Sequence, residues 1–366
     1  MLPPLSFDLH TRRRLALSAV TAAAWPEQAF AIALGQASGP EQEAFAAYLI
    51  AQGLTGHWLV RMRQEAIAKE SVFFTVLRRQ EKLDAMRYLA QRRAIAIAEE
   101  HFSAQNIPYA VMKGAHVREL LYENAAIRPS VDVDILIAPE DRFKVVEIFT
   151  RAGFALKINP ATVSHEVSLS DNLTGIDLHW HVLRPGRAQG YLAQEMLERR
   201  GRCRNFSALR PEDELFLLLF HPVFTKYLTT PHARLANIAD LFLWGQRLAI
   251  DWRELCRLCA RHRFTTAAWL TASYLRLLTD TPVFDDFISM MRPGTVKAAW
   301  LGHWLRADYS SRFLNQPWLI QLLFTLPAHD RCRDVLRFIG AWENERRRTD
   351  AECRRFKQVI EAAGDQ

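Results

Sequence analysis

The stretch Arg128-Pro-Ser-Val-Asp-Val-Asp-Ile-Leu-Ile137 decides the fold. From Ser130 onward, polar and apolar residues alternate, which predicts a β-strand with one buried face. Asp132 and Asp134 lie two residues apart, so they share a face of that strand, about 6–7 Å apart. Two neighbouring carboxylates repel each other unless cations compensate their charge. The pair is therefore a candidate metal site, although two solvated acids at an exposed strand end would show the same spacing.

A second alternating stretch, Gly175-Ile-Asp-Leu-His-Trp-His181, predicts another strand. Asp177, His179 and His181 would share one of its faces. If this strand pairs with the first, Asp132, Asp134 and Asp177 converge. Three carboxylates can hold two divalent ions about 3.5–4 Å apart, the geometry of in-line nucleotidyl or phosphoryl transfer. We expect His179 to bind metal or substrate phosphate, although a histidine that hydrogen-bonds at the sheet edge would show the same pattern.

A strand-to-helix turn at Lys113-Gly114 supplies the third element. The apolar run from Ile107 predicts a buried strand before it, and the residues from Ala115 to Tyr122 have helical spacing. Glycine permits close backbone approach, and a helix N-terminus favours anions. Lys113, Gly114 and Arg128, the last in the loop before the Asp132 strand, are therefore candidate phosphate-binding residues, although loop arginines are commonly just exposed.

The strand signals are confined to one segment of the 366-residue chain. Residues 1–100 and 191–366 show helical periodicity, and residues 101–190 form the predicted α/β core. Hydrophobic residues make up 49% and charged residues 24%, which excludes extensive disorder. The formal net charge of +7 favours anionic partners without selecting one. Short arginine runs, such as that from Arg199 to Arg204, fit a solvated helix face or, less well, nucleic-acid binding.

The cellular location is predicted from what the chain contains. Five unevenly spaced cysteines do not form a disulfide framework, which favours a reducing compartment. Cys256, Cys259 and His262 lie at helical spacing and fit a core better than a zinc site. The basic and Ala-rich stretch after Arg12 fits a first helix better than a signal peptide. No apolar stretch reaches the ~18 residues of a membrane span. We expect a cytoplasmic protein.

Several of these segments together resemble a known family. Met112-Lys-Gly-Ala, the Asp132 strand, Pro139-Glu-Asp and Ile176-Asp-Leu-His-Trp look like the uncharacterised nucleotidyltransferase family of the DNA polymerase β-like nucleotidyltransferase superfamily. The similarity continues through Pro211-Glu-Asp-Glu-Leu and the helix with Asp240, and spans about residues 80–290.

The resemblance implies an α+β fold: a small mixed β-sheet nucleotidyltransferase core with flanking helices, embedded in N- and C-terminal helical regions. It also implies that Asp132, Asp134 and Asp177 are the catalytic metal ligands, with Mg²⁺ or Mn²⁺ as the ion and a nucleoside triphosphate, ATP, as the expected donor. One departure stands out. The superfamily usually has Gly-Ser or Gly-Gly at the turn where this chain has Lys113-Gly114-Ala115, so the hydroxyl donor is missing.

The function predicted from this pattern is metal-dependent transfer of a nucleotidyl group to an acceptor hydroxyl. The acceptor stays open among peptide, protein, small molecule and RNA. Phosphoryl transfer to a peptide or protein through the same site is one alternative. A catalytically silent protein that binds a nucleotide or a partner is another.

Overall fold

The computed structural model describes residues 8–21, 36–64, 71–188 and 191–364. Four helices precede the sheet in this part of the chain: α1 (Leu9–Thr21), α2 (Gly39–Gln52), α3 (Thr55–Gln64) and α4 (Val72–Ala104). Leu15, Ala16 and Leu17 of α1 are fully buried, and Trp58 Nε1 donates to the carbonyl of Ala16 at 2.9 Å. Residues 9–21 of the predicted N-terminal helix thus form a packed helix of the fold, and the rest of that Ala-rich stretch lies outside the described residues.

A seven-stranded mixed sheet forms the centre, with strand order β3-β4-β5-β2-β1-β7-β6. The strands are β1 (Tyr109–Met112), β2 (Asp132–Ile137), β3 (Ala155–Lys157), β4 (Glu166–Ser170), β5 (Gly175–His179), β6 (Gly201–Cys203) and β7 (Phe206–Ala208). The two strands that carry the aspartates, β2 and β5, pair in parallel, with Asp134 opposite Asp177. β1 and β4 flank this pair as antiparallel neighbours. The predicted fold class is confirmed.

Helices connect and cover the strands. α5 (Lys113–Leu121) follows β1, and α6 (Arg142–Arg151) follows β2 after a short 3₁₀ turn at Pro139–Asp141. α7 (Leu192–Glu198) lies between β5 and β6. After β7 come α8 (Pro211–Thr225), α9 (Leu235–Arg247), α10 (Trp252–His262), α11 (Thr265–Thr279), α12 (Asp285–Met291), α13 (Thr295–Ala307), α14 (Tyr309–Arg312), α15 (Pro317–Ile320) and α16 (Cys332–Gly364). Pro211 at the first turn of α8 begins that helix as its fixed φ predicts.

The sheet departs from the sequence prediction at its edges. β5 ends at His179, because the backbone N–H groups of Trp180 and His181 both turn to the carbonyl of His165. His181 therefore does not continue the strand, and its predicted place beside Asp177 and His179 is wrong. The hairpin β6–β7 lies beyond residue 190 yet joins the sheet beside β1. The domain boundaries stay a prediction.

Strand periodicity separates two hydrophobic cores. Val133, Ile135 and Ile137 of β2 point into a core with α6 and part of α4. Leu136 points to the opposite face, into the larger core made by the N- and C-terminal helices. Because side chains alternate, Asp132 and Asp134 share that second face with Leu136. The carboxylates thus lie between the sheet and the layer of helices. In the described residues, no helix is long and apolar enough to cross a membrane.

Candidate active site

A cavity of about 800 Å³ lies between the aspartate-bearing face of the sheet and helix α8. Its sheet wall includes Asp132, Asp134, Asp177, His179 and Glu166. The opposite wall comes from α8 and the loops that follow β5 and α8. The volume falls within the range of small-molecule sites. Of the residues predicted for a site, the cavity is lined by all seven: Lys113, Gly114, Arg128, Asp132, Asp134, Asp177 and His179.

Asp134 is the most strongly held carboxylate of the cluster. Its Oδ1 lies 2.6 Å from Lys113 Nζ and 2.9 Å from His179 Nε2. On the other side of the imidazole, Nδ1 of His179 faces Glu166 Oε2 at 3.2 Å. Burial alone would raise the pKa of Asp134, but Lys113 and His179 outweigh it and hold that pKa well below its usual range. Asp134 is therefore an anion at neutral pH.

Asp132 and Asp177 have less compensation. Ser168 Oγ on β4 donates to Asp177 Oδ1 at 2.7 Å, and Asp132 lies within hydrogen-bonding reach of Asp177. Burial, followed by repulsion from Asp134 and Asp177, raises the pKa of Asp132 to about 8, although Lys113 acts against the shift. The surroundings of a carboxyl with this pKa disfavour its anion, so a further cation nearby would stabilise it.

The turn before α5 is fixed by an acid from the helical layer. Lys113 has a φ of +53°, a left-handed conformation that is unusual for a residue with a side chain. Its backbone N–H donates to Glu214 Oε1 at 2.8 Å, and His116 Nδ1 contacts Glu214 Oε2 at 2.8 Å. Glu214 is completely buried. The anion at the N-terminus of α5 is thus the carboxylate of Glu214. By fixing the turn, it orients the Lys113 ammonium toward Asp134.

Gly114 is required by close packing in this turn. A Cβ at this position would lie 2.5 Å from Ser130 Oγ and 2.9 Å from Arg128 Nη1. The glycine is therefore needed for packing against Ser130 and Arg128. Its predicted contact with phosphate stays a prediction. Ser130 lines the cavity beside Gly114, in the region where the sequence pattern had suggested that a hydroxyl donor was missing.

Arg128 is held in a buried ion pair. Its Nη2 lies 2.6 Å from Asp240 Oδ2, and its Nε lies 3.1 Å from the same oxygen. Tyr122 donates to Asp240 Oδ1 at 2.8 Å, and His57 Nε2 lies 3.3 Å from the Tyr122 hydroxyl. The network anchors Arg128 at the cavity wall. Its predicted contact with phosphate stays a prediction.

Two polar residues near the aspartates were not predicted from the sequence: Glu166 of the cavity wall and Ser168, which donates to Asp177. Glu166 and Ser168 share a face of β4, and their alternation with Val167 and Leu169 was the available signal. His165 lines the cavity, as does His221 of α8. Burial lowers the pKa of both histidines, and nearby cations add to the effect for each. Both are therefore neutral imidazoles at pH 7.

The residues present fit a divalent cation. Asp134, Asp177 and His179 each offer a ligand atom, and these atoms lie within 4.8 Å of one another. The elevated pKa of Asp132 shows a further carboxyl in the same cluster that a cation would stabilise as its anion. Carboxylate oxygens suit Mg²⁺ and Mn²⁺, and an imidazole nitrogen is compatible with transition-metal ions such as Mn²⁺.

The family comparison agrees with this geometry. A family model described as an uncharacterised nucleotidyltransferase matches residues 38–280. The chain belongs to this nucleotidyltransferase family. The matched span includes α2 to α11, and therefore the whole sheet and every residue of the cavity named so far. No curated protein matches the chain.

The arginine run at 199–204 and the group of Cys256, Cys259 and His262 contribute to packing. Arg199 pairs with Asp213 at 2.7 Å, and Arg204 pairs with Glu119 at 2.8 Å. These contacts place two arginines of the 199–204 run in ion pairs inside the chain. A second run, Arg346 to Arg348, has its side chains outside the described residues. Cys259 and His262 are buried on α10, on the helix face that the spacing predicted.

Proposed function

We propose that this protein transfers a nucleotidyl group from a nucleoside triphosphate, with ATP as the expected donor, to an acceptor hydroxyl. The observation that carries the proposal is the register of β2 and β5. It sets Asp134 opposite Asp177 on the wall of the cavity, with Asp132 and His179 beside them. Family membership supports the same chemistry.

Asp132, Asp134 and Asp177 would hold the divalent ion or ions. A bound Mg²⁺ or Mn²⁺ supplies charge neutralisation for the transferring phosphates. Asp177 is the proposed acceptor of the hydroxyl proton, because its second oxygen is not taken by Ser168 and because it lies at the cavity surface. His179 would orient Asp134 through its contact of 2.9 Å.

The triphosphate would lie where the cavity is positively charged. Lys113, Gly114 and Arg128 form one side of it. On the facing wall, Arg184 and Lys226 line the same cavity. In the part of the chain that the structure describes, neither of these two side chains makes an ion pair with an acid. A cation in a concave site without a carboxylate partner is suited to bind an anionic ligand.

The test uses ATP labelled at the α or the γ phosphate, with Mg²⁺ and a cell lysate as the source of acceptors. We expect label from the α phosphate to enter an acceptor, and Asp177→Asn to abolish the transfer. Asp286→Asn removes an exposed carboxylate outside the site and serves as the control that retains activity. Transfer of γ label alone would show phosphoryl transfer instead. Nucleotide binding with no transfer of either label would favour the silent binding protein.

A further inference from the structure

The ammonium of Lys113 lies inside the ligand cluster. Its Nζ is 2.6 Å from Asp134 Oδ1 and 3.4 Å from His179 Nε2, and both of these residues belong to the group able to hold a metal ion. The Lys113 and Asp134 side chains are only 17% and 9% exposed. A positive charge therefore already lies where a cation would contact Asp134.

Both the backbone and the ammonium of Lys113 are held in this position. The left-handed φ of +53° and the hydrogen bond from its N–H to the buried Glu214 determine where the side chain begins. The ion pair with Asp134 determines where it ends. Lys113 also lines the cavity, so its ammonium can face a bound phosphate as a metal ion would.

The charges of the three aspartates and Lys113 indicate how many divalent ions the site needs. Asp132, Asp134 and Asp177 carry three negative charges when ionised, and Lys113 carries one positive charge; the difference of two equals the charge of one divalent ion. Asp134 Oδ1 already contacts two nitrogen atoms, which competes with its use as a bridge between two ions. Asp132 and Asp177, by contrast, have no such cation in contact among the ion pairs of the described residues.

We infer that Lys113 takes the place of one of the two cations of a two-metal site, so that the protein works with a single divalent ion held mainly by Asp132 and Asp177. This inference rests on the proposed function and changes its metal requirement. The built-in cation would be present without any added metal; it would neutralise Asp134 and face the phosphates next to it.

The experiment counts the Mn²⁺ ions bound to the protein by native mass spectrometry. The protein is saturated with an ATP analogue that cannot be cleaved between its α and β phosphates. The wild-type chain should carry one analogue and one Mn²⁺. Lys113→Met keeps the length of the side chain and the main-chain N–H but removes the charge, so this variant should carry two Mn²⁺. Lys82→Met removes the same charge from an exposed position of α4 outside the cavity, and it should carry one.

The outcomes separate this inference from the proposed function. Two Mn²⁺ ions on the wild-type complex would overturn the inference and leave nucleotidyl transfer standing, and this result does not depend on whether any variant folds. One Mn²⁺ on both the wild type and a folded Lys113→Met variant would also overturn it, since Lys113 would then not set the count. Failure of the wild type to bind the analogue and Mn²⁺ at all would overturn both proposals.

Discussion

Replacing Asp132 by Asn should stabilise the metal-free protein, although the residue is a proposed metal ligand. Burial and the neighbouring carboxylates raise the pKa of Asp132 from 3.8 to about 8. In the folded state the carboxyl therefore keeps its proton at pH 7, whereas in the unfolded state it is ionised. The folded state is penalised as pH rises from about 4 to about 8, because the unfolded chain releases this proton first.

The magnitude follows from the shift. At pH 7 a full shift costs about 4 kcal/mol, and partial access of Asp132 to solvent reduces this to about 2–4 kcal/mol. Asn has the same size, can donate a hydrogen bond to Asp177 and does not titrate. The stability advantage of Asp132→Asn over the wild type should thus grow with pH, by at most about 1.4 kcal/mol per unit, and level off above pH 8.

The assay is urea denaturation in EDTA at pH 5, 7 and 8.5, with wild type, Asp132→Asn and the control Asp286→Asn. The control substitutes an exposed aspartate and should change the free energy of unfolding by less than about 0.5 kcal/mol. In Mn²⁺ the order should reverse, because metal stabilises the wild type by mass action and the variant less so. An Asp132→Asn variant that is less stable than wild type in EDTA, or whose advantage is independent of pH, would refute the reasoning.

Two further predictions concern the residues around the site. Gly114→Ala should destabilise the protein by about 1–2 kcal/mol, because the clash with Ser130 and Arg128 outweighs the gain in helix propensity; Gly39→Ala, in the first turn of α2 where nothing lies within 4 Å of the added methyl, should show no such loss in thermal denaturation. Burial lowers the pKa of His57 to about 4, so the free energy of unfolding should fall as the pH drops from 6.5 to 4. Replacing His57 by Gln should remove up to about 3 kcal/mol of that fall, and a variant with the wild-type pH profile would contradict a buried neutral imidazole.

The local pattern of the sequence was sufficient for the central strands and their aspartates. Alternation has a period of two residues in any strand, so the side chains of Asp132 and Asp134 had to share a face wherever the strand lay. The same reasoning placed Asp177 with His179, and the fixed φ of Pro211 marked the start of α8. These are properties of neighbouring residues, which the sequence itself contains.

The partners of these residues depended on the tertiary structure. Only the parallel pairing of β2 with β5 sets Asp134 opposite Asp177. Glu214 lies in the first turn of α8, yet it is buried against the Lys113 turn, 101 residues away in sequence. Arg128 read as a loop arginine, but Asp240, 112 residues later, holds it in a buried ion pair.

The short strands β6 and β7 illustrate the same limit. Each has three residues, too few for a periodic signal, and they become strands because β1 offers an unpaired edge. Sequence alone therefore determined which side chains share a face, since that follows from backbone geometry over a few residues. The packing of distant segments decided which faces meet and which charges compensate each other. A buried charge is costly unless it is paired, and no local sequence pattern specifies its partner.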